Sequence, residues 1–253
     1  MDSDVADRTR PPAPWSLRLL DGWRLDHLGA AALVSQREQR VLSLLAMRGE
    51  RTRSYVAGAL WPESSEARAQ GNLRASVWHL QHLTDGVVEV NGTMRLSASV
   101  EVDLHALRAV IRDLAAPTTA VDVGHALGLL CYDDLLPGWS DEWVEEERAL
   151  LHPPRMRSLE DLTERLLDRH DLAGALDAAM RAVRIDPLRE RAQRALIRVH
   201  LEDGNNVEAM RVYHAFRHTL YRELGVTVSD QLLDLVRPLQ ACSATNPLMG
   251  QSR

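Results

Sequence analysis

Two stretches in the last hundred residues match at an offset of 34. Setting Asp171 against Asn205 also sets Leu162 against Leu196, Ala175 against Ala209 and Leu176 against Met210. A fixed period of this length marks a repeating pair of helices, because one pair cannot bury its apolar side alone and needs a neighbour to cover it. The C-terminal part of the chain is thereby committed to an all-α stack. Alanines at matched positions let helices approach closely, and Asp186-Pro187 marks a handover between helices, since proline lacks the N–H that continues one. Two repeats are visible where about three are needed for stability, so helices expected between residues 102 and 151 are assigned to complete the stack.

The front of the chain follows other rules. SLRLL and WRLDHL, broken at Asp21-Gly22 and Gly29, read as short strands joined by tight turns. Ser35 opens a helix, with Glu38 three residues on as a capping box, Val41, Leu42, Leu45 and Ala46 as its buried side, and Gly49 as its stop. Ser54 is expected to cap a short second helix through Val56, Ala57 and Leu60, ended by Pro62. A third helix follows over LWPESSEARAQGNLRASVWHLQHL, with Ser64 or Ser65 as cap and Ala69, Leu73, Val77 and Leu80 on its buried side. Residues 87–90 and 93–96 are β-rich and flank Asn91-Gly92, which predicts a hairpin with a two-residue turn.

Small strands, three helices and a closing hairpin make a winged helix-turn-helix. In that arrangement the third helix enters the DNA major groove, where side chains distinguish base pairs, and the hairpin runs along the phosphates. The candidate contacts are Arg51, Arg53 and Ser54 around the second helix, Arg68, Asn72, Arg74, Ser76 and His79 on the third, and Asn91, Thr93 and Arg95 on the wing. Gly71 weakens the third helix by about 1 kcal/mol relative to alanine, but its missing side chain admits close approach by a phosphate backbone or another helix. The competing reading of this stretch is an ordinary amphipathic helix with a solvated arginine face.

Charge favours a divided chain. The net charge is −6 and all 30 basic residues are arginine. Residues 1–100 carry 12 arginines against 11 carboxylates, whereas the remainder carries 18 against 25, so a slightly basic front precedes an acidic rear. That distribution suits a DNA-binding module joined to a protein-binding module. Cys131 and Cys242 lie far apart in a chain whose polar N-terminus and lack of a long apolar run predict a reduced, cytoplasmic protein away from membranes. Residues 1–14 are expected to be a disordered lead and residues 241–253 a flexible tail.

Between the two patterns, residues 102–114 read as a helix ended by Pro117, and residues 118–130 as another. In YDDLLPGWSDEWVEEERALL, Pro137-Gly138 makes a turn, Ser140 caps a helix, and Trp143, Val144 and Leu150 are expected to face inward. The cluster Asp133, Asp134, Asp141, Glu142, Glu145, Glu146 and Glu147 reads as a solvated helix face rather than a metal or acid–base site.

With these pieces in order, LWPESSEARAQGNLRASVWHL at 60–80, LLPGWSDEWVEEER at 135–148 and the stretch 178–226 resemble the actinobacterial antibiotic regulatory protein (SARP) family of transcriptional activators. The resemblance covers roughly residues 15–238. It implies a mainly α protein, with an OmpR-like winged-helix DNA-binding domain at 15–101 and a bacterial transcriptional activation domain of tetratricopeptide-like helices at 102–240. It further implies binding to direct repeats in double-stranded promoter DNA by a dimer or side-by-side protomers, recruitment of RNA polymerase holoenzyme through its sigma factor and other subunits, and control of secondary-metabolite genes such as those for antibiotic biosynthesis.

Three departures from the family pattern carry consequences. His79, Gln81 or His82 stands where arginine is usual, which lowers the charge offered to phosphates. Pro153 and Pro154 interrupt a helix that is usually continuous, predicting a kink or break. A phosphate-binding GxxxxGK[ST] loop cannot occur in a stretch without lysine, so no ATPase module of that type is expected in these residues. Trp78 is expected to be covered by the second domain, and Trp139 and Trp143 to lie at the same interface.

No nucleophile motif, HExxH or glycine-rich phosphate loop is present, and no catalytic residue or cofactor is expected. His214 and His218 have helical metal-ligand spacing, and His79 with His82 nearly does, but neither pair has a third ligand, so no metal is expected. The rival to a DNA-binding activator is a tetratricopeptide-like protein-interaction regulator whose winged helix binds DNA weakly or not at all.

Overall fold

A computed structural model describes residues 15–116 and 121–244, with side chains to residue 239. The expected lead at 1–14, the stop at Pro117, the side chain of Cys242 and the end of the tail lie outside what is described. The chain divides into two compact units, residues 1–110 with 132–151 and residues 111–131 with 152–253.

The first unit begins with β1 (Trp15–Arg18), β2 (Arg24–His27) and β3 (Ala30–Ala31), an antiparallel meander. Helices α1 (Gln36–Arg48), α2 (Arg53–Leu60) and α3 (Glu66–Leu83) follow, with β4 (Arg51–Thr52) between the first two. The hairpin β5 (Val88–Asn91) and β6 (Thr93–Leu96) then pairs with β4, and β7 (Val100–Val102) runs parallel to β1. Two small sheets, β3-β2-β1-β7 and β4-β6-β5, thus frame three helices as a winged helix. β4 and β7 were not expected. Each is two or three residues long, too short for alternation to be read, and each pairs with a distant segment.

Local caps differ from the sequence expectation in instructive ways. Ser35 occupies the N-cap of α1 but caps no amide; its Oγ donates to the buried Glu38 carboxylate, so the capping box is not closed. Thr52 rather than Ser54 caps α2, accepting from the amide of Tyr55. In the hairpin, Asn91 pairs with Thr93 and Gly92 alone forms the tip at φ 72°. The even register excludes the two-residue turn, and only glycine takes that backbone without strain.

Helix α4 (Asp103–Ala115) leads out of the unit, and residues 132–151 return to it. Amide N–H of Trp139 donates to the carbonyl of Leu136 at 3.1 Å, closing the expected Pro137-Gly138 turn. Asp141, not Ser140, precedes α6 (Glu142–Asp168). Val144, Glu147 and Leu151 fall on its buried side, while Leu150, one residue out of phase, is 63 % exposed. The acidic cluster is only partly a solvated face. Asp141 holds Arg40, Glu146 holds Arg48, and the buried Glu147 binds Arg108 at 2.5 Å, all within this unit. Three arginines on α1 and α4 thereby need carboxylates from a segment about a hundred or forty residues away.

The second unit contains α5 (Val123–Leu130), the rest of α6, α7 (Leu172–Ile185), α8 (Glu190–Glu202), α9 (Asn206–Leu224) and α10 (Asp230–Ala244). α5 starts five residues later than expected, capped by Asp122 through the amide of His125. α10 continues four residues beyond the expected end at residue 240. The helix-pair repeat is present as read. Asp171 and Asn205 each cap a helix by accepting from the amide three residues on, at 3.0 and 3.2 Å. Leu162 and Leu196 are buried, Ala175 and Ala209 fully so. The handover at Asp186-Pro187 lies between α7 and α8.

Pro153 and Pro154 lie inside α6, which runs through them without a break. The expected interruption is therefore absent as a gap in the helix. Its partners explain the continuity: Leu151, Arg155 and Met156 are buried on either side, and Arg155 Nε donates to the carbonyl of Leu130 at 2.8 Å. Burial of the flanking turns offsets the two helix hydrogen bonds that the prolines cannot donate.

Candidate nucleic-acid interface

α3 buries Ala69, Leu73, Ser76, Val77 and Leu80. At about 3.6 residues per turn, Gly71, Ala75, Trp78 and His82 then occupy the opposite side. Arg68 and Arg74 flank that outer strip, one on each side, exposed and without a hydrogen bond or ion pair among the described residues. Glu66 sits in the first turn, where a carboxylate suits the helix dipole, and Ser65 takes the N-cap position without making a side-chain cap.

The other candidates on this helix are less free. Ser76 is fully buried and its Oγ has no partner among the described residues, so it belongs to the core and not to the reading face. Its position one residue before Val77 and three after Leu73 places it within the apolar stripe, a position that hydroxyl chemistry alone does not reveal. Asn72 is half-buried, and its Oδ1 accepts from Arg37 Nη2 at 3.0 Å. Arg37 also lies 5.7 Å from the centre of the Trp61 ring, which holds it from a second side. His79 Nδ1 is 3.5 Å from Glu38 Oε1. Arg37, Glu38 and Trp61 were missed as participants. Their only sequence signal is placement in the first turn of α1 and after α2, which identifies no partner across the fold.

Around α2, Arg51 lies over Tyr55 at 5.4 Å and donates to the carbonyl of Glu50 at 2.7 Å. Arg53 is half-buried without a partner among the described residues, and the exposed Ser54 accepts from Gln70 Nε2 at 3.3 Å. On the wing, Asn91 is exposed beside the Gly92 tip and Thr93 Oγ1 donates to the Glu50 carboxylate. Arg95 stands directly opposite Glu89 and contacts it at 2.6 Å. The hydrogen bond to Arg95 lowers the pKa of Glu89, and the same bond raises that of Arg95. The wing arginine is thus half of a neutral pair.

Of the three tryptophans, Trp143 faces inward as expected. Trp78, expected to be covered, is instead 57 % exposed and lies 4.1 Å from His82 of its own helix. Trp143 is buried in the first unit, where Trp139 meets it edge to face at 6.2 Å. Among the described residues, no group of three or more His, Cys, Asp or Glu side chains is arranged to hold a metal ion, and no helix is long and apolar enough to cross a membrane.

The chain joins a winged helix, which carries an exposed arginine-flanked helix, to helix-pair repeats. The model of the bacterial transcriptional activator domain matches residues 96–240, and the chain belongs to that family of transcriptional activators. It is similar to the regulatory protein AfsR of Streptomyces coelicolor, with 30 % identity over 222 residues, covering 82 % of this chain and 22 % of AfsR. Among solved structures it resembles Mycobacterium tuberculosis EmbR, described in complex with a low-affinity phosphopeptide. That likeness has a TM-score of 0.67 at 18 % identity and covers 90 % of this chain and 65 % of the EmbR chain. The EmbR likeness supports the winged-helix and helical arrangement. The chain spans about a fifth of AfsR and just under two thirds of the EmbR chain.

Proposed function

We propose that the chain is a sequence-specific DNA-binding activator whose α3 enters the major groove of promoter direct repeats and whose helical repeats recruit RNA polymerase, with secondary-metabolite genes as targets. The observation that carries this reading is the pair Arg68 and Arg74, exposed on both edges of the outer strip of α3 and without a partner among the described residues. Unpaired guanidinium groups are available to phosphates and to guanine edges, whereas paired ones must first give up their carboxylates. Two protomers side by side would add binding energy that one lightly charged helix lacks.

Titration of promoter-length duplexes across salt concentrations tests the DNA part. Affinity should fall as salt rises, and Arg68→Ala or Arg74→Ala should each flatten that dependence by about 0.9 in the log–log slope if the lost contact is to phosphate. Unchanged affinity in both variants would remove α3 from the reading role. Recruitment is tested by transcription from the selected promoter with purified RNA polymerase.

The second reading, a protein-interaction regulator with little DNA affinity, draws on the wing. Arg95 is neutralised by Glu89, and Thr93 is held by Glu50. Equal and negligible binding to every duplex at low salt would favour it.

A further inference from the structure

Asn72 is often the type of residue that reads adenine, because its side-chain carbonyl and amide together match the N6 donor and N7 acceptor of that base. Here one half of that match is already used. Oδ1 accepts from Arg37 Nη2 at 3.0 Å, and Arg37 is in turn steadied against the Trp61 ring. Oδ1 keeps a second lone pair, but with the Arg37 guanidinium seated on that side of the amide a base edge meets the NH2 group first. Two N–H donors suit a base edge with two acceptors, which is guanine O6 and N7. Adenine places its own N6 donor against them.

We propose that Arg37 is a specificity-determining positioning residue that converts Asn72 from an adenine reader into a donor-first reader preferring guanine. The proposal rests on the reading that α3 enters the major groove. Arg37 acts through Asn72 and need not touch a base. Its location on α1, one helix away from the reading strip, explains how a residue outside that strip alters what it selects. The half-burial of Asn72 assists, because a side chain with restricted rotation cannot readily turn its oxygen outward while the guanidinium remains.

The test is selection of bound duplexes from a randomised pool by the full chain, followed by affinities for the four bases at each selected position. Three proteins are compared: the wild type, Asn72→Ala and Arg37→Ala. Asn72→Ala should identify the dependent position by loss of discrimination there alone. At that position the wild type should prefer guanine to adenine by at least about five-fold, the low end of a good base contact. Arg37→Ala should shift the preference toward adenine at that position, while other positions keep theirs. Arg37→Ala removes a charge as well, so a uniform loss of affinity across sequences is expected and is read separately from base preference. Arg37→Gln supplies a neutral side chain that retains an amide donor, and restoration of guanine preference by it would show that the bond rather than the charge acts.

Adenine preference in the wild type, no position dependent on Asn72, or an unchanged preference in Arg37→Ala would each overturn the proposal while leaving DNA binding by α3 in place. Absence of selective binding by the wild type would overturn both. Arg37 is exposed, so Arg37→Ala should fold, and an unchanged circular dichroism melt verifies it.

Discussion

Asp103 shows how much of the first unit depends on one carboxylate. Its oxygens accept from the amides of Leu19, Leu20 and Leu104 at 2.7–3.0 Å, tying the end of β1 to the start of α4. Burial raises its pKa, and the three amides oppose that rise without cancelling it. Because the folded value lies above the unfolded one, stability from this group is complete below the ordinary carboxylate range and declines as pH rises through the raised value. Asp103→Asn should abolish that slope. It should also cost about 1–3 kcal/mol near neutral pH, since an NH2 group replaces one acceptor among backbone donors. Chemical denaturation at several pH values measures both effects. The adjacent arrangement of His79 and Glu38 changes another expectation. His79→Arg adds charge to α3, but the new guanidinium meets Glu38 at the place His79 occupies, so its gain in DNA affinity should be small.

Among elements, the wing is the one whose charge is most easily released. Glu89→Gln removes the acid opposite Arg95 and leaves the guanidinium available; DNA affinity should rise and its salt dependence steepen by up to about 0.9 in slope. An unchanged slope would place the wing away from phosphates. The repeat offers a different check: Asp171→Ala and Asn205→Ala should each destabilise by about 0.5–2 kcal/mol in thermal or denaturant melts, as equivalent caps.

These elements also show what was legible in advance. The 34-residue offset, the three front helices and the hairpin were readable because apolar spacing, caps and turns are local. β4, β7, the acidic seam on residues 141–147 and the Arg37–Asn72 bond were not, because each joins segments far apart in sequence. Ser76 and Leu150 were misplaced by a single step in helical phase. The continuity of α6 through Pro153 and Pro154 required knowing that both neighbouring turns are buried.

At the scale of the molecule, the linear and physical divisions of the chain disagree. A boundary at 101 separates the expected domains, yet residues 132–151 pack with the first unit. They supply Asp141, Glu146 and Glu147 to Arg40, Arg48 and Arg108, and Leu135 bridges to Leu20. A fragment ending at residue 110 should therefore be much less stable than the same unit within the full chain, because buried apolar side chains and three arginines lose their cover together. Comparing the near-ultraviolet dichroism and melting of the fragment with those of the full chain tests this. A fragment that melts as cooperatively and at the same temperature would show residues 132–151 to be dispensable.

The return of residues 132–151 has a consequence for inheritance. The family match begins at residue 96 and so carries within it a piece of its neighbour's core. A single genetic crossover near residue 100 would give a chimaera whose new front half meets a foreign 132–151 segment. Recombination of intact halves is thereby penalised, and the winged unit and the segment that completes it should be selected as one, changing by paired substitution rather than by exchange.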